Sequence, residues 1–276
     1  MEICQKTIAA LLTVHNRKEK TMECLTNLFR QDLCEDVKLD IYLTDDGSTD
    51  GTAEAIKEHF PSVIVVHGDG TLFWNRGMYV AWKEAAKKQY DFYLWLNDDT
   101  FLYSGALSKL MEASICKKNK AIIVGVTQNL IHTQATYGGL LKDGRIAPVD
   151  GHLHRIHHFN GNIVLIPNDV FNVLGNLDWY FTHGKGDFDY GLRANEKGIE
   201  MFQVGHYIGE CDRHLTIDKW CNPQVPFIER WKAMWRPNGM PPHETYYLER
   251  KHMGLCIACI HYITTIIRCC FPKLWL

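Results

Sequence analysis

Apolar runs and helical spacings alternate through the first half of the chain. Residues 7–15 form a nearly continuous apolar run, which is typical of a strand covered on both faces. In Lys18–Phe29, apolar residues recur at spacings of three and four, which predicts a helix with one buried face. Repeated strand–helix units predict an α/β fold with a mostly parallel, doubly wound, Rossmann-like sheet flanked by helices. The further strands are predicted over residues 39–44, 62–67, 92–96 and 121–126, and the further helices over residues 53–59, 76–88 and 104–113.

The second half of the chain is less regular. Strands are predicted over residues 160–166 and 200–204, and helices over residues 167–174 and 189–197. After about residue 212 the chain becomes polar, aromatic and rich in proline. We therefore predict one large domain over residues 1–215, with an irregular second half, and a C-terminal extension over residues 216–276 that contains an amphipathic helix.

Composition and charge exclude two classes of protein. Hydrophobic residues make up 46% of the chain and charged residues 22%, which excludes intrinsic disorder because enough apolar surface is present for a core. The net charge of −2 lacks the basic excess of nucleic-acid-binding domains, so no nucleic-acid partner is expected. Residues 1–6 lack the basic and apolar regions of a signal peptide, which predicts a cytoplasmic location.

The tail combines an apolar run over residues 254–267 with basic residues on either side. The run is shorter than the ~20 residues that a membrane-spanning helix needs. Two interpretations stay open: a helix packed on the core, or a helix in the membrane interface that gives peripheral membrane contact through residues 254–276. A zinc site is a further alternative, although apolar surroundings favour reduced, packed thiols. Its ligands would be Cys256, Cys259, His261, Cys269 and Cys270.

Polar segments follow three of the predicted strands. The first strand ends in His15-Asn16-Arg17, the second in Asp45-Asp46-Gly47-Ser48 and the fourth in Asn97-Asp98-Asp99-Thr100. Because ligands bind outside the carboxyl ends of strands in open α/β sheets, we expect these side chains to form one site. Their oxygen atoms suit Mg²⁺ or Mn²⁺, with the phosphates of a substrate completing the coordination. The chain has no GxGxxG after the first strand and no GxxxxGK[ST], which disfavours a dinucleotide site and a P-loop.

Two further segments complete an ordered series of motifs, namely Trp74-Asn75-Arg76-Gly77-Met78 and Gly186-Asp187-Phe188-Asp189. Together with the three strand ends they resemble family 2 glycosyltransferases of the GT-A fold, over roughly residues 7–215. The resemblance implies an enzyme of bacterial surface-polysaccharide assembly that uses a UDP- or dTDP-sugar donor and a glycan or lipid-linked acceptor. It also implies Mg²⁺ or Mn²⁺ on the diphosphate and inversion at the anomeric carbon.

The resemblance implies roles residue by residue for the donor site. Its nucleotide-sugar-binding set would be His15, Asn16, Arg17, Asp45, Asp46, Trp74, Asn75, Arg76 and Asp98. Within that set, Asp45 would bind the base, and Trp74 stands where the family usually has arginine, which leaves Arg76 as a substitute phosphate ligand. The family's DxD position is filled by Asn97-Asp98-Asp99, which makes Asp99 the metal ligand and Asn97 a supporting residue.

The resemblance also implies a general base. Asp187 matches the aspartate of the family's Glu-Asp motif, while Gly186 replaces the usual glutamate. A base is needed because an acceptor hydroxyl is a poor nucleophile until its proton is removed. Asp189 and Arg193 are expected to support Asp187, although acids at this position also suit the N-terminus of a helix without any chemistry.

Two other functions stay open at this point. A sugar-phosphate nucleotidyltransferase would use a similar sheet, but it normally carries a glycine-rich loop after the first strand, where this chain has none. An inactive glycan-binding relative is the other alternative, because Asn97 and Gly186 each replace an acid. His206 and His214 are weaker candidates for an extra metal ligand.

Overall fold

The computed structural model describes residues 5–33, 37–213 and 217–275. The strands are β1 (Lys6–Val14), β2 (Val37–Asp45), β3 (Ile64–His67), β4 (Phe92–Leu96), β5 (Phe101–Leu102), β6 (Ile122–Gln128), β7 (Gly139–Leu140), β8 (His154–Arg155), β9 (His158–Phe159), β10 (Ile163–Pro167) and β11 (Met201–Glu210). The helices are α1 (Lys18–Phe29), α2 (Thr52–His59), α3 (Phe73–Ala85), α4 (Ala106–Cys116), α5 (Asn168–Leu174), α6 (Gly186–Glu196), α7 (Phe227–Met234), α8 (Pro242–His252) and α9 (Leu255–Cys270). Short 3₁₀ turns occupy Lys219–Cys221 and Pro272–Trp275.

The predicted α/β fold is confirmed, with a mixed main sheet in the order β3-β2-β1-β4-β10-β6-β11-β5, where β8 also pairs with β11, and a separate two-stranded sheet of β7 and β9. The four strands β3, β2, β1 and β4 are parallel, as their strand–helix alternation predicts. In contrast, β10 runs antiparallel between β4 and β6, so the sheet is mixed rather than mostly parallel. The irregular segment between β6 and β10 has no crossover helix, and a helix is what normally makes successive strands parallel.

Successive residues of β1 belong to two different cores, which explains its nearly continuous apolar run. Ile8, Ala10 and Leu12 pack into a core that includes residues of α1 and α4. Ala9 and Leu11 pack into a second core that includes residues of α3 and α6. Helices therefore cover the sheet on both faces.

Two helices begin earlier than the sequence pattern predicts. The helix predicted from residue 76 begins at Phe73, and the helix predicted from residue 189 begins at Gly186. The backbone N–H of Phe73 donates to Asp46 Oδ2 over 2.9 Å, so a side chain from the β2 end sets the start of α3. As a result, Trp74 and Asp187 both lie in the first turn of a helix, beside the strand ends.

The C-terminal extension consists of α7, α8 and α9, and α8 packs along α9. Only Ala258 and Cys269 of α9 are buried, so the helix predicted in this tail lies on the surface. Within the described residues, no helix combines the length and the apolar character that crossing a bilayer requires. The predicted boundary between residues 215 and 216, like His214, falls outside the described residues.

The cysteines of the tail do not converge. Cys256 and Cys259 are exposed on α9, whereas Cys269 is buried. Across the parts of the chain that the structure describes, no group of three or more His, Cys, Asp and Glu side chains is placed to hold a metal ion. The zinc alternative therefore has no support from the geometry, and each described cysteine is a free thiol.

Candidate active site

A cleft of about 640 Å³ opens at the carboxyl ends of β1 and β4. Its walls come from strand ends, from the first turns of α3 and α6, and from the extension, which contributes Asn238. Eight residues singled out from the sequence line it: His15, Arg17, Asp46, Trp74, Asn97, Asp98, Asp99 and Asp187. The other six do not line it: Asn16, Asp45, Asn75, Arg76, Asp189 and Arg193.

The turn after β1 is held by contacts to the turn after β2. Asn16, at a φ of +51°, accepts a hydrogen bond from the backbone N–H of Thr49 over 2.7 Å. The ring nitrogen Nδ1 of His15 lies 2.6 Å from the backbone oxygen of Asp46. Asn16 therefore joins the two turns, and His15 and Arg17 on either side of it line the cleft.

Asp45 and Asp46 are both buried, but their carboxylates have different surroundings. Asp45 accepts a hydrogen bond from the backbone N–H of Ser48 over 3.0 Å and so closes its own turn. Asp46 accepts one from the N–H of Gly70 over 2.8 Å and another from the N–H of Phe73. Of the two, only Asp46 lines the cleft.

A cation and two carboxylates meet at the floor of the cleft. Arg17 Nη1 lies 2.8 Å from Asp99 Oδ2 and 3.3 Å from Asp98 Oδ1. Burial raises the pKa of Asp98 to about 7, against the opposing effect of Arg17, and the charge of Asp99 raises it further. Burial also raises the pKa of the Cys211 thiol to about 12, so this group stays neutral where it contacts Asp99 Oδ1 over 3.8 Å.

This geometry fits a divalent cation. One oxygen of Asp98 and one of Asp99 approach the same nitrogen atom, at 3.3 and 2.8 Å, so these two carboxylates are the residues that would hold an ion there. Oxygen ligands of this kind suit Mg²⁺ or Mn²⁺. Because no third acidic, histidine or cysteine ligand converges there among the described residues, phosphate oxygens and water would complete the coordination.

Two residues that depart from the family pattern contact each other. The indole Nε1 of Trp74 donates to Asn97 Oδ1 over 2.7 Å. The amide oxygen of Asn97 thus accepts from a neutral indole, where the resemblance leads us to expect an arginine and an acid. The Trp74 ring also packs on Gly161, where a Cβ would lie 2.6 Å from the ring. Trp74 and Asn97 therefore form one neutral pair in the cleft wall.

Gly186, the third departure, is explained by Asn75. A Cβ at position 186 would lie 1.7 Å from Asn75 Oδ1, so a side chain cannot be added without moving Asn75. Asn75 itself is held in place, because its Nδ2 donates to the backbone oxygens of Asp178 and Phe181 over 2.9 and 2.7 Å. The missing glutamate is thus a consequence of how α3 and α6 pack at their first turns.

Asp187 faces the cleft from the first turn of α6. Its Oδ1 accepts from the N–H of Phe188 over 2.9 Å, and its Oδ2 accepts from the N–H of Gly161 over 3.1 Å. Burial raises the pKa of Asp187, and these two amides oppose that effect. Each oxygen keeps a further lone pair, so the carboxylate can accept a proton from a group in the cleft.

Asp189 and Arg193 lie at the junction of α6 and the extension rather than in the cleft. Asp189 is fully buried and contacts two cationic groups, Arg193 Nε at 2.8 Å and Lys251 Nζ at 2.7 Å, and the imidazole of His252, whose Nε2 lies at 2.9 Å. Arg76 also points away from the cleft, because its Nε donates to the backbone oxygen of Trp179 over 3.1 Å. These residues hold the elements that surround the cleft.

Several cleft residues were missed from the sequence: Tyr137, Asn160, Asn162, His183 and Asn238. Burial lowers the pKa of His183, and the charge of Arg17 lowers it further. His183 stands three residues before Gly186, and its closeness to the segment Gly186-Asp187-Phe188-Asp189 is the sequence signal that marks it as a candidate. Asn238 lies in an irregular loop of the extension, and nothing in its sequence neighbourhood marks it. His206, the weak metal candidate, is exposed on β11 and does not line the cleft.

The mixed sheet and the cleft at its strand ends define an α/β protein of the GT-A type. The family model described as Glycosyl transferase family 2 matches residues 10–171, and the chain belongs to this family. No curated protein matches the chain.

Solved structures share the fold at low sequence identity. TarS of S. aureus (residues 1–349), in complex with UDP-GlcNAc, has a TM-score of 0.62 and 11% identity, covering 95% of this chain and 72% of that one. GalNAc-T7 with UDP, GalNAc and Mn²⁺ has a TM-score of 0.60 and 16% identity, covering 91% and 51%. The mannosyltransferase PcManGT of Pyrobaculum calidifontis, with GDP-Man and Mn²⁺, has a TM-score of 0.56 and 16% identity, covering 94% and 74%. The chain spans 60% of another TarS 1–349 structure and 43% of a longer TarS structure.

Proposed function

We propose that this protein transfers a sugar from a UDP- or dTDP-sugar to an acceptor hydroxyl, with inversion at the anomeric carbon. The observation that carries the proposal is one cleft that holds a carboxylate pair suited to a diphosphate-bound cation and, separately, the carboxylate of Asp187. The neighbours solved with UDP-GlcNAc and GDP-Man support a nucleotide-sugar donor.

The strand ends of β1, β2 and β4 would bind the donor. Asp99, with Asp98 beside it, would hold Mg²⁺ or Mn²⁺, which when bound neutralises the charge of the departing diphosphate. Arg17 would move from the two carboxylates to the diphosphate, because a guanidinium pairs well with phosphate oxygens. His15 and Asp46 line the same part of the cleft and would contact the nucleoside, with Asp45 behind them.

Asp187 would act as the general base. As the acceptor oxygen bonds to the anomeric carbon, its proton passes to the Asp187 carboxylate and the bond to the diphosphate breaks. Attack on the face opposite the leaving group inverts the configuration. The raised pKa of Asp187 favours this role, because a more basic carboxylate accepts the proton more readily.

The acceptor would be a glycan or a lipid-linked saccharide, in bacterial surface-polysaccharide assembly at the cytoplasmic face of a membrane. Peripheral contact of residues 254–276 with that membrane would bring the enzyme to such an acceptor. The exposed apolar side chains of α9 support this contact.

Thermal-shift measurements with UDP, dTDP, GDP and nucleoside triphosphates, each with Mn²⁺, test the proposal. We expect UDP or dTDP to give the largest increase in Tm. A preference for a triphosphate, with pyrophosphate released from a sugar phosphate, would instead identify a nucleotidyltransferase. Absence of any nucleotide effect would identify an inactive relative.

A further inference from the structure

The outward face of α9 is almost entirely apolar. Ile260 and Ile263 are 57% and 56% exposed, and Ile267 lies on the same face one turn further along. Of the eight exposed residues in this helix, only His261 is polar in character, since the others are leucine, isoleucine or cysteine. A helix that packs only on a protein core has the opposite arrangement, with polar residues outside.

A second apolar stripe lies on α7, outside residues 254–276. Phe227, Trp231 and Trp235 follow one another at intervals of four residues, and Ile228 is 67% exposed beside them. The ring centroids of Phe227 and Trp231 are 5.9 Å apart, and those of Trp231 and Trp235 are also 5.9 Å apart. These rings therefore form a continuous aromatic surface.

Arg230 joins α7 to the C-terminal end of α9. This buried arginine donates from Nε to the backbone oxygen of Cys269 over 2.8 Å and from Nη2 to that of Cys270 over 3.1 Å. Its guanidinium also lies 5.9 Å from the Phe227 ring centroid. Phe227 is thus placed close to the end of α9, where Phe271 is exposed.

Charge divides the chain into an acidic body and a basic extension. Residues 217–276 contain eight Lys and Arg against four Asp and Glu, a net charge of +4, whereas residues 1–216 contain 22 against 28, a net charge of −6. Two of the four acids of the extension, Glu244 and Glu249, are buried. Lys232, Arg236 and Lys273 are exposed, and the exposed Glu229 pairs with Lys219 at 2.9 Å, so the accessible surface beside the apolar faces has a basic excess.

We propose that α7 and α9 together form a docking surface for an anionic lipid bilayer. Apolar side chains, aromatic rings and flanking basic residues are the combination that binds a helix into a membrane interface. A symmetric contact with a second copy is disfavoured, because it would bring two basic extensions together. The acidic body is repelled by the same bilayer, which orients the molecule with its extension toward the lipid.

The docking surface also indicates which class of acceptor is used, and this consequence rests on the proposed function. Asn238, between α7 and α8, lines the cleft that contains Asp187. A bilayer bound to α7 therefore lies on the side of the cleft that the extension forms. Lipid-linked saccharides, rather than free glycans, are the acceptor class that this orientation favours.

Vesicle flotation of the full chain, without nucleotide or acceptor, tests the docking surface. We expect binding to phosphatidylglycerol–phosphatidylcholine vesicles and much weaker binding to phosphatidylcholine alone. The double variants Ile260→Ser/Ile263→Ser and Ile228→Ser/Trp231→Ser should each lower the partition coefficient by about tenfold or more, because apolar area is lost from the lipid contact. Lys232→Gln/Arg236→Gln should lower it by about fivefold per charge on the anionic vesicles.

The matched control is Ile115→Ser/Ile131→Ser, which removes two isoleucines of the body that are 60% and 76% exposed. This control should leave flotation unchanged. The two-helix surface would be overturned if the control lost as much flotation as the variants, or if the wild type did not float. It would also be overturned if only the α9 variant lost flotation. A wild-type dimer in analytical ultracentrifugation that the α9 pair makes monomeric would assign the face to a second copy instead. The assay contains no donor, so its failure is distinct from failure of the proposed reaction.

Discussion

The body and the C-terminal extension differ in which side chains they bury and which they leave exposed. In the body, β1 is buried on both faces by apolar residues, and every exposed residue of α2 is charged or histidine. In the extension, Arg230, Glu244 and Glu249 are buried while Ile260 stays exposed. The body is thus organised around its apolar core, whereas the extension is attached to it both by polar contacts and by aromatic packing, with the rings of Tyr180 and Tyr247 stacked at 3.8 Å.

The polar contacts of the extension end on the segments that position Asp187. Glu244 accepts a hydrogen bond from the backbone N–H of Thr182 over 3.0 Å, and Lys251 and His252 contact Asp189 in α6. Because Asp187 lies in the first turn of the same helix, the extension supports the cleft from behind. Two aspartates only two residues apart therefore belong to different regions: Asp187 lines the cleft, and Asp189 lies in the junction with the extension.

The largest expected effect is on turnover and leaves the folding of the protein unchanged. Asp187→Asn keeps the shape of the side chain but removes the proton acceptor, so the turnover of a nucleotide-sugar with its acceptor should fall by about 10²–10⁴-fold. The nucleotide-induced shift in Tm should persist, since donor binding does not need this base. Unchanged turnover would contradict the assignment of Asp187.

The next largest effect is expected on stability, at the junction between α6 and the extension. Asp189→Asn leaves Lys251, Arg193 and His252 without their buried carboxylate, so the free energy of unfolding should fall by about 3 kcal/mol. Urea denaturation measures this change, with Asp187→Asn as the matched variant in the same helix. A loss of stability as large in Asp187→Asn as in Asp189→Asn would remove the distinction between the two aspartates.

A smaller effect is expected where α3 and α6 meet. Gly186→Ala places a Cβ against Asn75 Oδ1 and should lower the free energy of unfolding by about 1–3 kcal/mol, because the close packing must open. The double variant Gly186→Ala/Asn75→Ala removes that clash. If its stability equals the sum of the two single effects, measured by urea denaturation, the proposed steric conflict is absent.

The smallest effect is a pH dependence in the body. Burial lowers the pKa of His158 to about 4, with the charge of His157 adding to the effect. As pH falls from 7 to 5, the unfolded chain takes up a proton at this histidine near its ordinary pKa of ~6.5, while the folded chain does not. The stability present above pH 6.5 is therefore progressively lost toward pH 4.

His158→Asn isolates this contribution, because asparagine does not titrate. Between pH 7 and pH 5 the wild type should lose about 1 kcal/mol more free energy of unfolding than the variant, because solvent beside the half-buried ring weakens the effect of burial. Thermal or urea unfolding at the two pH values measures the difference. Parallel pH profiles for the two proteins would show that His158 is not held neutral by burial.

Much of the cleft can be predicted from the sequence because its residues come from short, contiguous segments. The apolar run of β1 and the polar turns after β1, β2 and β4 each lie within a short stretch of chain, and parallel pairing brings their ends together. The antiparallel insertion of β10 was not predictable in the same way, because it depends on where an irregular segment returns to the sheet. The locations of Asn75 and Arg76 outside the cleft lining also follow from contacts with residues 178–181, about a hundred positions away.

The sequence by itself determined the alternating α/β pattern, the polar strand ends and the ordered series of family motifs, since these depend on local periodicity and on short segments. Only the tertiary structure paired Trp74 with Asn97, placed Asn75 against Gly186 and directed Asp189 to the extension. It also left the apolar face of α9 exposed, where the tail's sequence allowed either a packed or an interfacial helix. The physical reason is that these outcomes depend on packing between elements distant in sequence, which no local pattern encodes.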